Sequence, residues 1–163
     1  VCRYMAKAGR VFVCGTGSSG LAAREMELRF MRIGLDITSM DHSDMIRMRG
    51  VFQDENCLVF GVSISGEKEE VLYLLEEAHK RGARTVMLTA RNRPDFDAFC
   101  DEVVLLPSLL HLNHGNVISP QFPILLLTDI LYSYYLSQDP YKKEVLHDST
   151  LRALEKGRRE KVM

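Results

Sequence analysis

The sequence has almost no surplus charge of either sign. Its 21 Lys and Arg side chains stand against 22 Asp and Glu, so no overall positive field draws the chain to DNA, RNA or an anionic membrane. Paired cysteines are missing as well. Cys2, Cys14, Cys57 and Cys100 are widely spaced with no CxxC among them, which speaks against a zinc site or a disulfide framework. They read instead as buried thiols in a reducing cytoplasm. The longest uninterrupted apolar run in the C-terminal half is Ile124 to Leu127, far short of the ~20 residues that cross a bilayer. No charged-then-apolar leader opens the residues present, and there is no internal repeat or low-complexity segment. One further gap bears on chemistry: no Asp or Glu occurs between Glu102 and Asp129.

What remains is a chain of 163 residues, 46% hydrophobic and 26% charged. That suits one soluble globular domain over 1–163 with a sizeable core. Val11 to Cys14, Ile37 to Met40, Cys57 to Val62, Thr85 to Thr89 and Val103 to Leu106 are short apolar runs suited to strands buried on both faces. Helical patterns lie between them. Ala22, Met26, Phe30 and Ile33 recur every three or four residues and stop at Gly34; Val71, Leu75 and Ala78 do the same, with Lys80, Arg81 and then Gly82 at the end. Alternating strand and helix predicts a parallel sheet between helical layers, with ligands at the C-terminal strand ends. After the fifth strand, Ser119-Pro120 reads as a cap for a long helix from Gln121 to about Leu136. Arg47 and Arg49 read as an exposed loop. A basic tail helix is expected from Asp148, capped there or at Ser149 or Thr150, with a solvated face.

Two strand-to-helix loops carry the chemistry. In VFVCGTGSSG, Gly15, Gly17 and Gly20 fit GxGxxG, a weak dinucleotide signal on its own. Ser18 and Ser19 fill its variable positions, adding two hydroxyls that a dinucleotide loop does not need. The second loop, SISGEKEE, repeats this logic with Ser63, Ser65 and the turn residue Gly66 before a helix beginning near Glu67. Hydroxyls beside exposed helix N–H groups make a cradle for a phosphate monoester. If the first and third strands are neighbours, both loops meet at one sheet edge.

VFVCGTGSSG, SISGEKEE, RTVMLTA and ISPQFPILLLTDILYSYYL together resemble the SIS (sugar isomerase) phosphosugar-binding domain over nearly the whole chain. TDILYSYYL and the opening RYMAKAGRV resemble, more narrowly, the C-terminal effector domain of RpiR-type bacterial transcription regulators. The resemblance implies a three-layer α/β/α sandwich with a five-stranded parallel sheet in the flavodoxin-like order 2-1-3-4-5. It implies a sugar phosphate ligand held by Gly15, Gly17, Ser18, Ser19, Ser63, Ser65 and Gly66, with no cofactor or metal. Lys68 stands where the family pattern SxSGxT has its third hydroxyl and is a candidate phosphate contact. A homodimer or higher homo-oligomer is implied, with DNA reached only through a helix-turn-helix domain for which there is no room ahead of Val11.

Isomerisation needs a base to move a proton between adjacent carbons, and the acid-free stretch from Glu102 to Asp129 omits the Glu that isomerase relatives carry there. Asp129, in an apolar helix, reads as a group fixing a neighbouring backbone or helix rather than a catalytic one. His111 and His114 are candidate ligand contacts in the loop before that helix and the fallback for catalysis; their bare spacing argues against a metal. The leading expectation is a non-catalytic phosphosugar sensor, the alternative an aldose-ketose isomerase. A dinucleotide oxidoreductase with Asp41 on a ribose ranks last, since it leaves the second serine loop unexplained.

Overall fold

A computed structural model describes residues 1–107 and 119–160. Its strands are β1 (Arg10–Cys14), β2 (Ile37–Met40), β3 (Cys57–Val62), β4 (Arg84–Thr89) and β5 (Glu102–Leu105). They form one parallel sheet in the order β2-β1-β3-β4-β5, as expected. Side chains alternate across the pleat. Val11 and Val13 of β1 enter a core with Met26 and Phe30 of α2 (Ser18–Met31), Met5 of α1 (Cys2–Lys7) and Ile124 and Leu131 of α5 (Phe122–Ser137). Phe12 and Cys14 enter the opposite core with Ile46 of α3 (Ser43–Gly50) and Val71, Leu74 and Leu75 of α4 (Glu69–Lys80). Every residue of β3 is buried because both faces are covered, which is why the central strand reads as a continuous apolar run.

The four periodic residues of the first helical pattern, Ala22, Met26, Phe30 and Ile33, are all buried. Phe30 anchors that layer, its ring 5.5 Å from Tyr132 and 5.9 Å from Tyr135 of α5. Asp129 accepts a hydrogen bond from Arg29 of α2, so it ties two helices together as the sequence suggested.

Three expectations need correction. Residues 43–50, holding Arg47 and Arg49, form α3 rather than a loop; Arg49 lies 4.1 Å over the Phe12 ring and so serves packing. The α5 helix starts at Phe122, with Pro123 in its first turn and Gln121 at its cap; Ser119 lies ahead of it, its hydroxyl accepting from the Gln121 N–H at 3.4 Å and its carbonyl from the Phe122 N–H at 3.0 Å. The tail helix, α6, runs from Pro140 to Glu160. Asp148, Ser149 and Thr150 therefore lie inside it; the Ser149 and Thr150 hydroxyls donate to the Val145 and His147 carbonyls.

The far edge of the sheet is pinned by Asp101, which accepts from the Thr85 N–H at 2.8 Å, the Thr85 hydroxyl at 3.1 Å and the Arg84 guanidinium. Burial alone would raise its carboxyl, but hydrogen bonds from Thr85 and Arg84 hold it below the ordinary Asp value. A depressed folded value means stability that is present above the unfolded value, about pH 4, and lost as pH falls through the folded one. Melting temperature followed from pH 6 to pH 2 should therefore drop less steeply in Asp101→Asn than in the parent. An identical slope would remove Asp101 from the acid response.

Candidate functional site

The site begins with strand register. Cys14 pairs with Gly61, so β1 and β3 end side by side and their loops leave the sheet together. A Cβ at Gly15 would lie 2.9 Å from the Val62 carbonyl oxygen and 3.0 Å from the Ser19 Cβ. The missing side chain is what lets the end of β3 and the first turn of α2 approach one point. Gly17 caps α2 at φ 59, a left-handed conformation in which glycine carries no Cβ penalty. The first intrahelical bond is Leu21 N–H to the Gly17 carbonyl at 3.2 Å, so the amides before it are the open positive end of the helix.

The second loop is braced from below. The Ser63 N–H donates to the Leu88 carbonyl and the Gly66 N–H to the Ser63 carbonyl, both at 3.0 Å. The Ser65 hydroxyl oxygen accepts from the Glu67 N–H at 3.3 Å, and that of Ser63, 1% exposed, from the Lys68 N–H at 3.5 Å. Each serine oxygen thus shapes the loop by accepting, which leaves its O–H as a donor. The chain after β4 clamps this loop: the Ala90 N–H donates to the Ile64 carbonyl at 3.1 Å and Arg93 to the Gly66 carbonyl at 2.7 Å.

These loops enclose a cleft of about 380 Å³. Ser18 and Ser19 line it from α2; Ser63, Ile64, Ser65 and Lys68 line it from the second loop. Gly15, Gly17 and Gly66 shape the backbone around it without lining it. His111 and His114 lie outside the described residues. Sequence reasoning missed Thr16, Arg91 and Pro120, which also line the cleft. Thr16 sits between two glycines already singled out, and its Oγ1 is buried with no partner among the described residues. Arg91 belongs to the loop after β4, which has no motif; the rule that ligands gather at strand C-termini was the available signal.

Two cations and no carboxylate line the cleft among the described residues. The acids that open α4 do not enter it: Glu69 reaches Arg47 at 3.6 Å. With the N-termini of α2 and α4 opening beside it, the cleft favours an anion, and its hydroxyls favour one rich in acceptor oxygens. Asp41 does not belong to it. That residue backs onto α2, where a Cβ on Gly20 would meet the Asp41 Cβ at 2.7 Å, so the third glycine of GxGxxG serves helix–sheet contact. The described residues contain no cluster of metal-ligating side chains, and none of the described helices is long and apolar enough to cross a membrane.

Comparison with known proteins bears on the same residues. The family model of the SIS domain matches residues 4–127. A Haemophilus influenzae protein named as an uncharacterized HTH-type transcriptional regulator is 27% identical over 82% of this chain and 46% of its own length. The 3-hexulose-6-phosphate isomerase of Mycobacterium gastri is 30% identical over 80% of this chain and 63% of its own. In fold, the chain resembles the Vibrio vulnificus NanR protein, solved in complex with ManNAc-6P, with a TM-score of 0.83 and 24% identity over 94% of this chain and 58% of that one. The chain thus spans about half to two thirds of the length of these relatives.

Proposed function

From the premise that this chain belongs to the SIS domain family, we propose that it is a phosphosugar-binding effector domain without catalytic activity, part of an RpiR-type transcription regulator. The observation that carries this reading is the cleft itself: two serine loops and two cations converge there, and no Asp or Glu stands between Glu102 and Asp129, the stretch that opens the helix after the fifth strand. The ester phosphate sits between Ser18 and Ser19 on one side and Ser63 and Ser65 on the other. Gly15, Gly17 and Gly66 allow the backbone its close approach, Lys68 and Arg91 add charge at the rim, and His111 and His114 contact sugar hydroxyls. Binding acts by differing in strength between two arrangements of the protein, biasing a linked helix-turn-helix domain that touches DNA. The protein works in the cytoplasm as a homodimer. The apolar stripe Phe122, Leu126, Ile130 and Tyr134, spaced every four residues on α5 and exposed in one copy, supports self-association.

A thermal-shift series of hexose phosphates beside their unphosphorylated parents tests the ligand class, because a ligand that binds only the folded state raises its apparent stability. Shifts with the esters alone are expected; equal shifts with the parent sugars would reject a phosphate site. Lys68→Ala and Arg91→Ala should each weaken ester binding by roughly threefold to tenfold, less at high salt, since exposed charges are screened. No change at low salt would take both cations out of the site.

Likeness to the Mycobacterium gastri isomerase favours one other reading, a phosphosugar isomerase using His111 or His114. Conversion of an aldose phosphate to the ketose, followed by coupled assay, would establish that reading over the sensor.

A further inference from the structure

Helix α2 leads from the serine cleft into a second groove. Ser18, Ala22, Glu25 and Arg29 fall at i, i+4, i+7 and i+11, one face of a 3.6-residue helix. Ser18 lines the cleft, and the other three line a groove of about 340 Å³ between α2 and α5. The opposite wall is continuous too: Pro120 lines the cleft, and the next residue, Gln121, lines the groove ahead of Asp129.

The two compartments differ in charge. Among described residues the groove holds Glu25 and Asp129 against the single cation Arg29, whereas the cleft holds Lys68 and Arg91 and no acid. Arg29 is already engaged, bonded to Asp129 and stacked 4.7 Å over the Tyr132 ring. Glu25 is exposed and forms an ion pair with none of the described cations. It lies about 10 Å along the helix axis from Ser18, at 1.5 Å per residue, and helical side chains lean back toward the N-terminus. That lean brings its carboxylate back along α2 toward the serine cleft.

We infer that this groove receives the carbohydrate end of the ligand and selects monophosphates bearing hydroxyls or an ammonium there, against those carrying a second phosphate or a carboxylate. The inference rests on the phosphate reading proposed above. A second anion beside Glu25 meets like charge at short range, while hydroxyls and an ammonium donate hydrogen bonds to its carboxylate.

Calorimetric titration should compare inorganic phosphate, a hexose 6-phosphate, its 2-amino counterpart, an aldonic acid 6-phosphate and a hexose 1,6-bisphosphate. In the parent protein the hexose and amino-hexose monophosphates are expected to bind at least tenfold more tightly than the aldonate and the bisphosphate, whose far ends are anionic. In Glu25→Gln, whose unchanged melting temperature would show an intact fold, that ratio should narrow to below threefold. Equal or tighter binding of the bisphosphate or aldonate by the parent, or an unchanged ratio in the variant, would overturn the selectivity while leaving the phosphate site standing. Absence of binding by inorganic phosphate and all four esters would overturn the phosphate reading, and this inference with it.

Discussion

Replacing Ser63 and Ser65 together with alanine is expected to weaken binding of a hexose 6-phosphate by ~100-fold or more. A hydrogen bond to a charged group contributes about 1.5–3 kcal/mol, and about 1.4 kcal/mol is a tenfold change in affinity. Two effects act in the same direction. The O–H donors are lost, and the Glu67 and Lys68 amides lose the oxygens that now accept from them, so the loop no longer arrives pre-shaped. The fold should survive, because the Ser63 N–H to Leu88 bond and the Ala90 N–H to Ile64 bond involve backbone alone. Calorimetry beside a melting curve separates the two: a stable variant with parental affinity would exclude this loop from the site.

Gly20→Val should lower the melting temperature by several degrees and weaken ester binding as well. A Cβ there would lie 2.7 Å from both the Gly15 carbonyl oxygen and the Asp41 Cβ. The first of these is main chain at the end of β1 and cannot swing aside. Overpacking of this kind costs about 1–3 kcal/mol, and a domain of this size loses roughly 2–4 °C per kcal/mol. Because Ser18 and Ser19 occupy the same first turn, lifting α2 from the sheet also carries them away from Ser63. Gly9→Ala is the matched control. Its Cβ would meet Asn56 at 3.6 Å, an ordinary contact, so stability should change by less than ~0.5 kcal/mol. Equal melting temperatures for Gly20→Val and the parent would show that the helix does not depend on that close approach.

Strands β1, β3 and β4 were legible because burial on both faces forces continuous apolar runs; the edge strands β2 and β5 are partly exposed and were read from shorter runs, and the sheet order followed from the family resemblance. Helix α3 was not legible. Over eight residues it buries only Ile46 and Gly50, too few to set up a period, and its surface of Asp44, Arg47 and Arg49 resembles a loop. The start of α6 was hidden for another reason. Asp148, Ser149 and Thr150 look like a cap, yet the helix begins at Pro140 and is held by Lys143, whose ammonium, 8% exposed as a residue, donates to the Tyr135 carbonyl at the end of α5. That anchor joins two helices in space and leaves no local trace. In the site, hydroxyls attached to a motif could be read from the chain. Arg91 could not, because it reaches the cleft only through the pairing of β3 with β4 and the clamp between their loops.

The most direct test is a crystal structure of this chain with a hexose 6-phosphate bound. The expected density places the phosphorus between the first turn of α2 and the Ser63–Ser65 loop, within hydrogen-bond reach of hydroxyls from both. An ester ordered elsewhere, with that cleft holding only water, would contradict a shared phosphate cradle.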